Sequence, residues 1–391
     1  MGNKKKKPST PTAVVPPQRN VNLDIIRIIA FIFVPCVHFF LHNGFYSQTV
    51  DNTEMYIMTY MRTLALLCIP LFMILTGYLQ AGKRFEPNLR YYLKIFKFVV
   101  PYIIIMTIDL VYINAWLVPE GIIKPYTLKE YIHNYTSFTH YSWYVEMSLG
   151  LFLLIPFVNM LWNNLKNKKR ERILVITMFI LMIAPSIFNY YEFDAENVMS
   201  AASDNYWSIF PNWWTGVYPL AYYFTGAYLA KNKADFKLKP ILSFLIFLGT
   251  WAVFGSYTVL RSYENKPSMY AWTNYNSWGI YFMGIALFIF LNSINFKSMP
   301  RLLAKFLAKL SDLSFGAYLA SWMLDQWFYP KHLNKMVPVM EDRLKYFIPC
   351  ILLAVTVAFI VSYIADLIYR AGSIVVTDIA KTIRAKRTSK K

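Results

Sequence analysis

Charge is scarce in this 391-residue chain: Asp, Glu, Lys and Arg together make up 16% of it, against about 25% in an average soluble domain. A fold in water needs that polar surface to cover itself, so a cytosolic multidomain enzyme is excluded. Cysteine is also rare. Cys36, Cys68 and Cys350 all fall inside apolar stretches, with no spacing for a metal site or a disulfide framework. No segment recurs at the periods of solenoids or arrays, and no inverted repeat is detectable. A cleavable secretory signal is missing as well. The chain starts with lysines at positions 4 to 7 and a Pro-rich polar arm, and the first apolar segment has no small-residue cleavage site.

What the chain has instead is apolar length. Hydrophobic residues make up 57%, and runs of the ~20 residues that cross hydrocarbon as a helix recur throughout. The reading is an all-α polytopic integral membrane protein with about ten transmembrane helices. They fall near 21–42, 56–80, 98–117, 141–162, 173–190, 214–230, 240–260, 276–293, 307–329 and 346–370. An even count puts both termini on one side. With that topology 28 lysines and arginines fall on one side and 8 on the other, so the positive-inside rule makes both termini cytoplasmic. The net charge of +19 then faces the anionic inner leaflet of the plasma membrane, and no nucleic acid is needed to explain it. Residues 1–20 read as a flexible basic arm and 21–370 as the membrane domain. Residues 371–391 form a basic tail, with Val375, Val376, Ile379 and Ile383 spaced for an interfacial helix or, equally, a disordered tail.

Ionisable residues inside spans cost a few kcal/mol each and persist only with a partner or a task. The first span holds Asp24, Arg27, His38 and His42. Arg27 and His38 are eleven residues apart, close to three whole turns, so they share one helix face about 16 Å apart along the axis. Taken singly, Arg27 reads as a snorkelling arginine with Asp24 one turn earlier as its available partner, and His38 as a histidine satisfied between helices. Together on one stripe they point to chemistry. Imidazole suits a general base, and a guanidinium suits phosphate or carboxylate. His42 one turn on would allow a metal pair, but no third ligand stands at metal spacing, and no metal is expected. Arg62, Asp109, Glu146, Asp325 and Asp366 are the other intramembrane charges. Asp366 and Arg370 form a local pair, while Asp109, Glu146 or Asp325 is free to orient a histidine, carry protons or pair between helices. Arg90, Lys94 and Lys97 follow helical spacing just before Pro101 and Tyr102, either as a positive-inside anchor or as a cradle for phosphates. Residues 190–213 carry Glu192, Asp194, Glu196 and Asp204 with Tyr206, Trp207, Trp213 and Trp214. An interfacial aromatic belt accounts for these rings, and sugar stacking is the alternative.

These residues sit in a pattern that resembles the membrane acyltransferase-3 family. The likeness runs over nearly the whole membrane region. It is strongest at the arginine-x10-histidine pair, Arg27 and His38. PLFMILTGYLQAGK closes in Thr76, Gly77 and Tyr78 like the family's Ser/Thr-Gly-Tyr. RYYLKIFKFVVPY is similar to its basic, Pro-ended entry to the third span. SWYVEMSLGLFLLIPFV is similar to its Trp-aromatic start, at Trp143 and Tyr144, and its Pro-containing finish, at Pro156, and LSFGAYLAS resembles its Ser-Phe-Gly-x-Tyr-Leu segment, with Tyr318 as the tyrosine. Two departures stand out. Ser321 replaces a histidine common after that Tyr-Leu, and His140 stands three residues before Trp143 rather than two.

The resemblance implies a bacterial O-acyltransferase that moves an acyl group, expected to be acetyl, from cytosolic acyl-CoA to a hydroxyl of a cell-surface polysaccharide or other envelope glycan. It implies a form without an appended hydrolase-like domain. His38 and Arg27 become the catalytic candidates, Arg27, Arg90, Lys94 and Lys97 the donor-binding ones. Asp24, Arg62, Trp143, Tyr144, Glu146, Tyr318 and Ser321 are the supporting ones. A transporter or flippase for a glycan or lipid-linked precursor remains the alternative from another class.

Overall fold

The computed structural model describes residues 19–138, 141–193, 198–199, 206–296 and 298–388, with side chains to 374. His140, Asp194, Glu196, Asp204 and all but the last two residues of the basic arm lie outside the described residues, as do the side chains of Val375, Val376, Ile379 and Ile383.

The described residues are helical, with only two isolated bridges and no strand. In chain order the helices are α1 Val21–His42, α2 Thr53–Ala65, α3 Cys68–Gln80, α4 Leu89–Tyr92 and α5 Phe96–Tyr112. Next come α6 Leu128–Thr136, α7 Trp143–Asn163, α8 Lys168–Met182, α9 Pro185–Phe188 and α10 Pro219–Lys231. The last are α11 Pro240–Ser262, α12 Trp278–Ser293, α13 Arg301–Phe328, α14 Asn334–Met336 and α15 Phe347–Thr388. Every apolar segment read from the sequence coincides with a helix. Among the described residues, seven segments are long and apolar enough to cross a membrane: 21–42, 53–80, 89–117, 143–163, 240–262, 271–293 and 341–374. The other three are α8 with 15 residues, α10 with 13, and α13, which is long but charged along its first half.

Several boundaries shift by a few residues from the sequence reading, and two differences go further. The second predicted span is two helices, because Pro70 offers no N–H to the carbonyl four residues back and the chain turns at Leu66 and Leu67. The last helix does not stop at residue 370 but continues to Thr388.

Helix α1 is central, packing on α13, α3, α15, α2 and α12. Lipid offers no hydrogen bonds, so polar side chains join helices instead. Tyr223 donates to Asn159 at 2.6 Å, and Ser362 donates to the Leu313 carbonyl at 2.7 Å. At the end of the bundle near His42, Arg261 is fully buried, with its guanidinium 4.3 Å above the Trp272 ring and donating to the Tyr190 carbonyl. A cation counted from sequence as part of a loop is thus a rivet beneath it.

Helices α3 and α10 touch backbone to backbone at two glycines. A Cβ on Gly77 would lie 1.9 Å from the Tyr223 carbonyl oxygen, and one on Gly226 would lie 2.0 Å from that of Ile74. Neither obstacle is a side chain that can swing away, so alanine at either site forces the helices apart, at a cost of about 1–3 kcal/mol or more. Gly226→Ala is expected to lower the thermal midpoint of the detergent-solubilised protein, whereas Gly150→Ala, which meets nothing within 4 Å, leaves it unchanged. Equal midpoints for the two variants would contradict this packing.

Candidate active site

The stripe read on α1 faces a single partner. Arg27 Nη1 donates to Ser311 Oγ at 3.0 Å, and His38 Nδ1 lies 3.2 Å from Asp325 Oδ2. Ser311 and Asp325 are both on α13, fourteen residues or nearly four turns apart, so one helix meets both ends of the stripe.

At the Arg27 end, α1, α3, α5, α7, α13 and α15 enclose a cavity of about 670 Å³. Its wall carries Arg27, Lys83, Lys94 and Lys97 together with Gln80, Ser148, Asp312 and Asp366, while Phe72, Phe98, Phe152 and Leu79 make it largely apolar. The volume suits a ligand of several hundred daltons. Lys94 lies over the rings of Tyr91 and Phe85, at 5.7 and 5.9 Å. Tyr91 is held in turn by stacking on Phe152 and by donating to its carbonyl at 2.7 Å.

Tyr144 and Tyr318 are cavity residues on α7 and α13, packed edge to face at 5.5 Å. The Tyr318 hydroxyl donates to the Tyr141 carbonyl, and the Tyr141 ring stacks on His38 with centroids 3.5 Å apart. His38 itself does not line the cavity. A layer of tyrosines therefore separates the cavity from the histidine.

His38 is 8% exposed and Asp325 is fully buried. The Tyr141 hydroxyl donates to the same Asp325 Oδ2 at 3.0 Å, and His42 Nε2 lies 2.5 Å from that hydroxyl. The approach of His38 Nδ1 to Asp325 Oδ2 is close but forms no hydrogen bond, and among the described residues neither His38 Nδ1 nor Asp325 Oδ1 has a hydrogen-bond partner. An imidazole set beside a buried carboxylate is the pairing that histidine bases use.

Not every residue named from sequence reaches this site. Asp24 is not Arg27's partner: Arg19 holds it through two hydrogen bonds of 2.8 and 2.7 Å. Arg90 is exposed and absent from the cavity wall that Lys94 and Lys97 line; the 3₁₀ turn Leu93–Ile95 interrupts the α-helical register that the spacing assumed. Arg62 is buried, donating to Tyr46 and to the Met269 carbonyl, where it ties α2 to a loop. Glu146 is exposed on α7, and Trp143 stacks on Tyr275 rather than entering the cavity. Ser321 spends its hydroxyl on the Tyr318 carbonyl at 2.8 Å. Asp366 pairs with Arg370 at 3.0 Å, as its spacing predicts, and also with Lys309. Asp109 is fully buried with neither oxygen hydrogen-bonded, so among the deep carboxylates it is Asp325 that meets the histidine.

Lys83, Ser311 and Tyr141 were missed. Lys83 follows the Thr76–Tyr78 motif by less than two turns and reads from sequence as one more basic loop residue. Nothing local marks Tyr141 or Ser311, because each acts on a helix distant in sequence.

Residues 20–364 match a family model described as an acyltransferase domain. No curated protein and no solved structure matches the chain. A cationic cavity and a histidine–carboxylate pair on one helix stripe, in a match that spans most of the sequence, leave one assignment: this chain belongs to the acyltransferase-3 family of membrane acyltransferases.

Proposed function

We propose that this protein is a membrane O-acyltransferase that takes an acyl group, acetyl in the simplest case, from cytosolic acyl-CoA and transfers it to a hydroxyl of a bacterial cell-surface polysaccharide or other envelope glycan. The observation that carries the reading is the single α1 stripe, with a polycationic cavity at one end and the His38–Asp325 pair at the other. The proposed topology is ten spans across the plasma membrane with both termini cytoplasmic. The lysine-rich cavity mouth then opens to the compartment that holds the donor, and His38 lies toward the acceptor.

Arg27, Lys83, Lys94 and Lys97 hold the donor's phosphates; Arg27 is the cation nearest the tyrosine layer and takes the group closest to the thioester arm. The apolar cavity wall accommodates that arm. Tyr144 and Tyr318 must part for the thioester to reach His38, and when closed they keep water from an acyl donor it would hydrolyse. His38 Nε2 removes the proton of the acceptor hydroxyl as its oxygen attacks the thioester carbonyl. The carbon–sulfur bond breaks and the imidazolium returns the proton to the departing thiolate. Products are the ester and free coenzyme A, with charge balanced throughout. Tyr141 stacks on the imidazole and Asp325 lies beside its Nδ1, so the two hold the ring's position.

Replacing His38 by Ala removes a base that typically contributes ~10²–10⁴-fold, and acylation of the acceptor in proteoliposomes is expected to fall by that factor while the protein stays folded. Asp325→Asn keeps the shape and loses the charge, so kcat drops with little change in donor KM. Lys83→Gln does the reverse, raising donor KM several-fold at nearly constant kcat, as expected when one charge-assisted phosphate contact is lost. Full activity in the His38 variant would refute the base assignment. Movement of an intact glycan by the wild type without acyl chemistry would make the protein a transporter.

A further inference from the structure

The cavity wall contains two carboxylates, Asp312 and Asp366, that should repel a polyanion. Both are occupied by cations that are not themselves part of the wall. Arg19 donates to both oxygens of Asp312, at 3.1 and 2.8 Å, while holding Asp24 and the Ala308 carbonyl. Lys309 at 2.5 Å and Arg370 at 3.0 Å take Asp366. In contrast, among the described residues none of the four wall cations has a carboxylate partner. Arg27 donates to Ser311 and Lys83 to Gln80, and Lys94 rests on aromatic rings. Wall carboxylates are neutralised from behind, while wall cations face the cavity without counter-charges. That sorting is not what chance pairing gives, since Arg27 lies one turn from Asp24 on its own helix yet leaves that carboxylate to Arg19.

We propose that Arg19 is a positioning residue for the cavity's anionic ligand. By hydrogen-bonding Asp24 and Asp312 together it leaves Arg27 hydrogen-bonded to neither carboxylate, and the cavity presents four cations without a carboxylate partner to a polyphosphate. This rests on the donor reading above and adds to it a residue before the first span that never touches the ligand. The two hydrogen-bonded carboxylates also hold the Arg19 guanidinium more firmly in its charged form. In its absence Asp24, one turn away, and Asp312, beside Ser311, compete with the ligand for Arg27.

The test measures equilibrium binding of coenzyme A and, separately, of inorganic triphosphate to the purified full-length protein in nanodiscs. Arg19→Gln is expected to weaken both ligands about tenfold at low ionic strength, with the gap closing at high salt, as an electrostatic contribution requires. Arg19→Lys keeps the charge and stays within about threefold of wild type. The decisive variant is R19Q/D24N/D312N. It abolishes the ionic latch between α1 and α13 but also removes both competing carboxylates, so it regains wild-type affinity or binds more tightly. A purely structural latch would leave this variant as weak as R19Q, and that result, or R19Q binding like wild type, overturns the proposal. If the triple variant does not fold, the salt dependence of R19Q against R19K decides in its place. Should triphosphate follow this pattern while coenzyme A does not bind, the role of Arg19 stands and the donor assignment falls. Wild type that binds neither overturns both.

Discussion

The contact between α1 and α13 is the constraint from which the rest of the site follows. In hydrocarbon an unpaired charge has no water to turn to, so a buried charged side chain is stabilised by a partner on a neighbouring helix. Helix α13 supplies Ser311 for Arg27 and Asp325 for His38, almost four turns apart. This double attachment sets the register of the two helices. A slip of one turn would part both pairs at once, moving the guanidinium off the cavity and the imidazole off its carboxylate.

The same contact divides the interior. Below the tyrosines Tyr144 and Tyr318 the cavity is wide and cationic; above them His38, Asp325, Tyr141 and His42 form a compact polar cluster with little exposure. An enzyme whose reactants come from opposite compartments needs such a division, because an open passage would leak ions and let water reach the donor. Aromatic side chains suit the barrier. Their rings fill the space, and a hydroxyl bonded to a backbone carbonyl, as in Tyr318, holds the closed form without a charge. Carboxylates are sorted on the same plan. Asp24, Asp312 and Asp366 are each matched to a cation, while Asp325 is left to a histidine and a tyrosine, groups that exchange protons rather than merely balance charge.

The sequence carried the helices and the shared face of Arg27 and His38, because each depends only on composition or on the 3.6-residue period of one helix. It also carried the family, whose motifs are local. The break between α2 and α3 was legible in Pro70 but lay inside an apolar run that reads as continuous. What it could not carry was any choice among partners distant in the chain. Three deep carboxylates were equivalent on paper, and only the packing of α13 on α1 makes Asp325 the one beside the histidine. Arg90, Lys94 and Lys97 share a helical spacing, yet the cavity takes Lys94 and Lys97, leaves Arg90 outside and adds Lys83 from the end of α3. Asp24 stands one turn from Arg27 and goes to Arg19. A helix period states which residues share a face, but what that face meets is set by the packing of the bundle, which brings Ser311, Asp312 and Asp325 of α13 against the start of the chain.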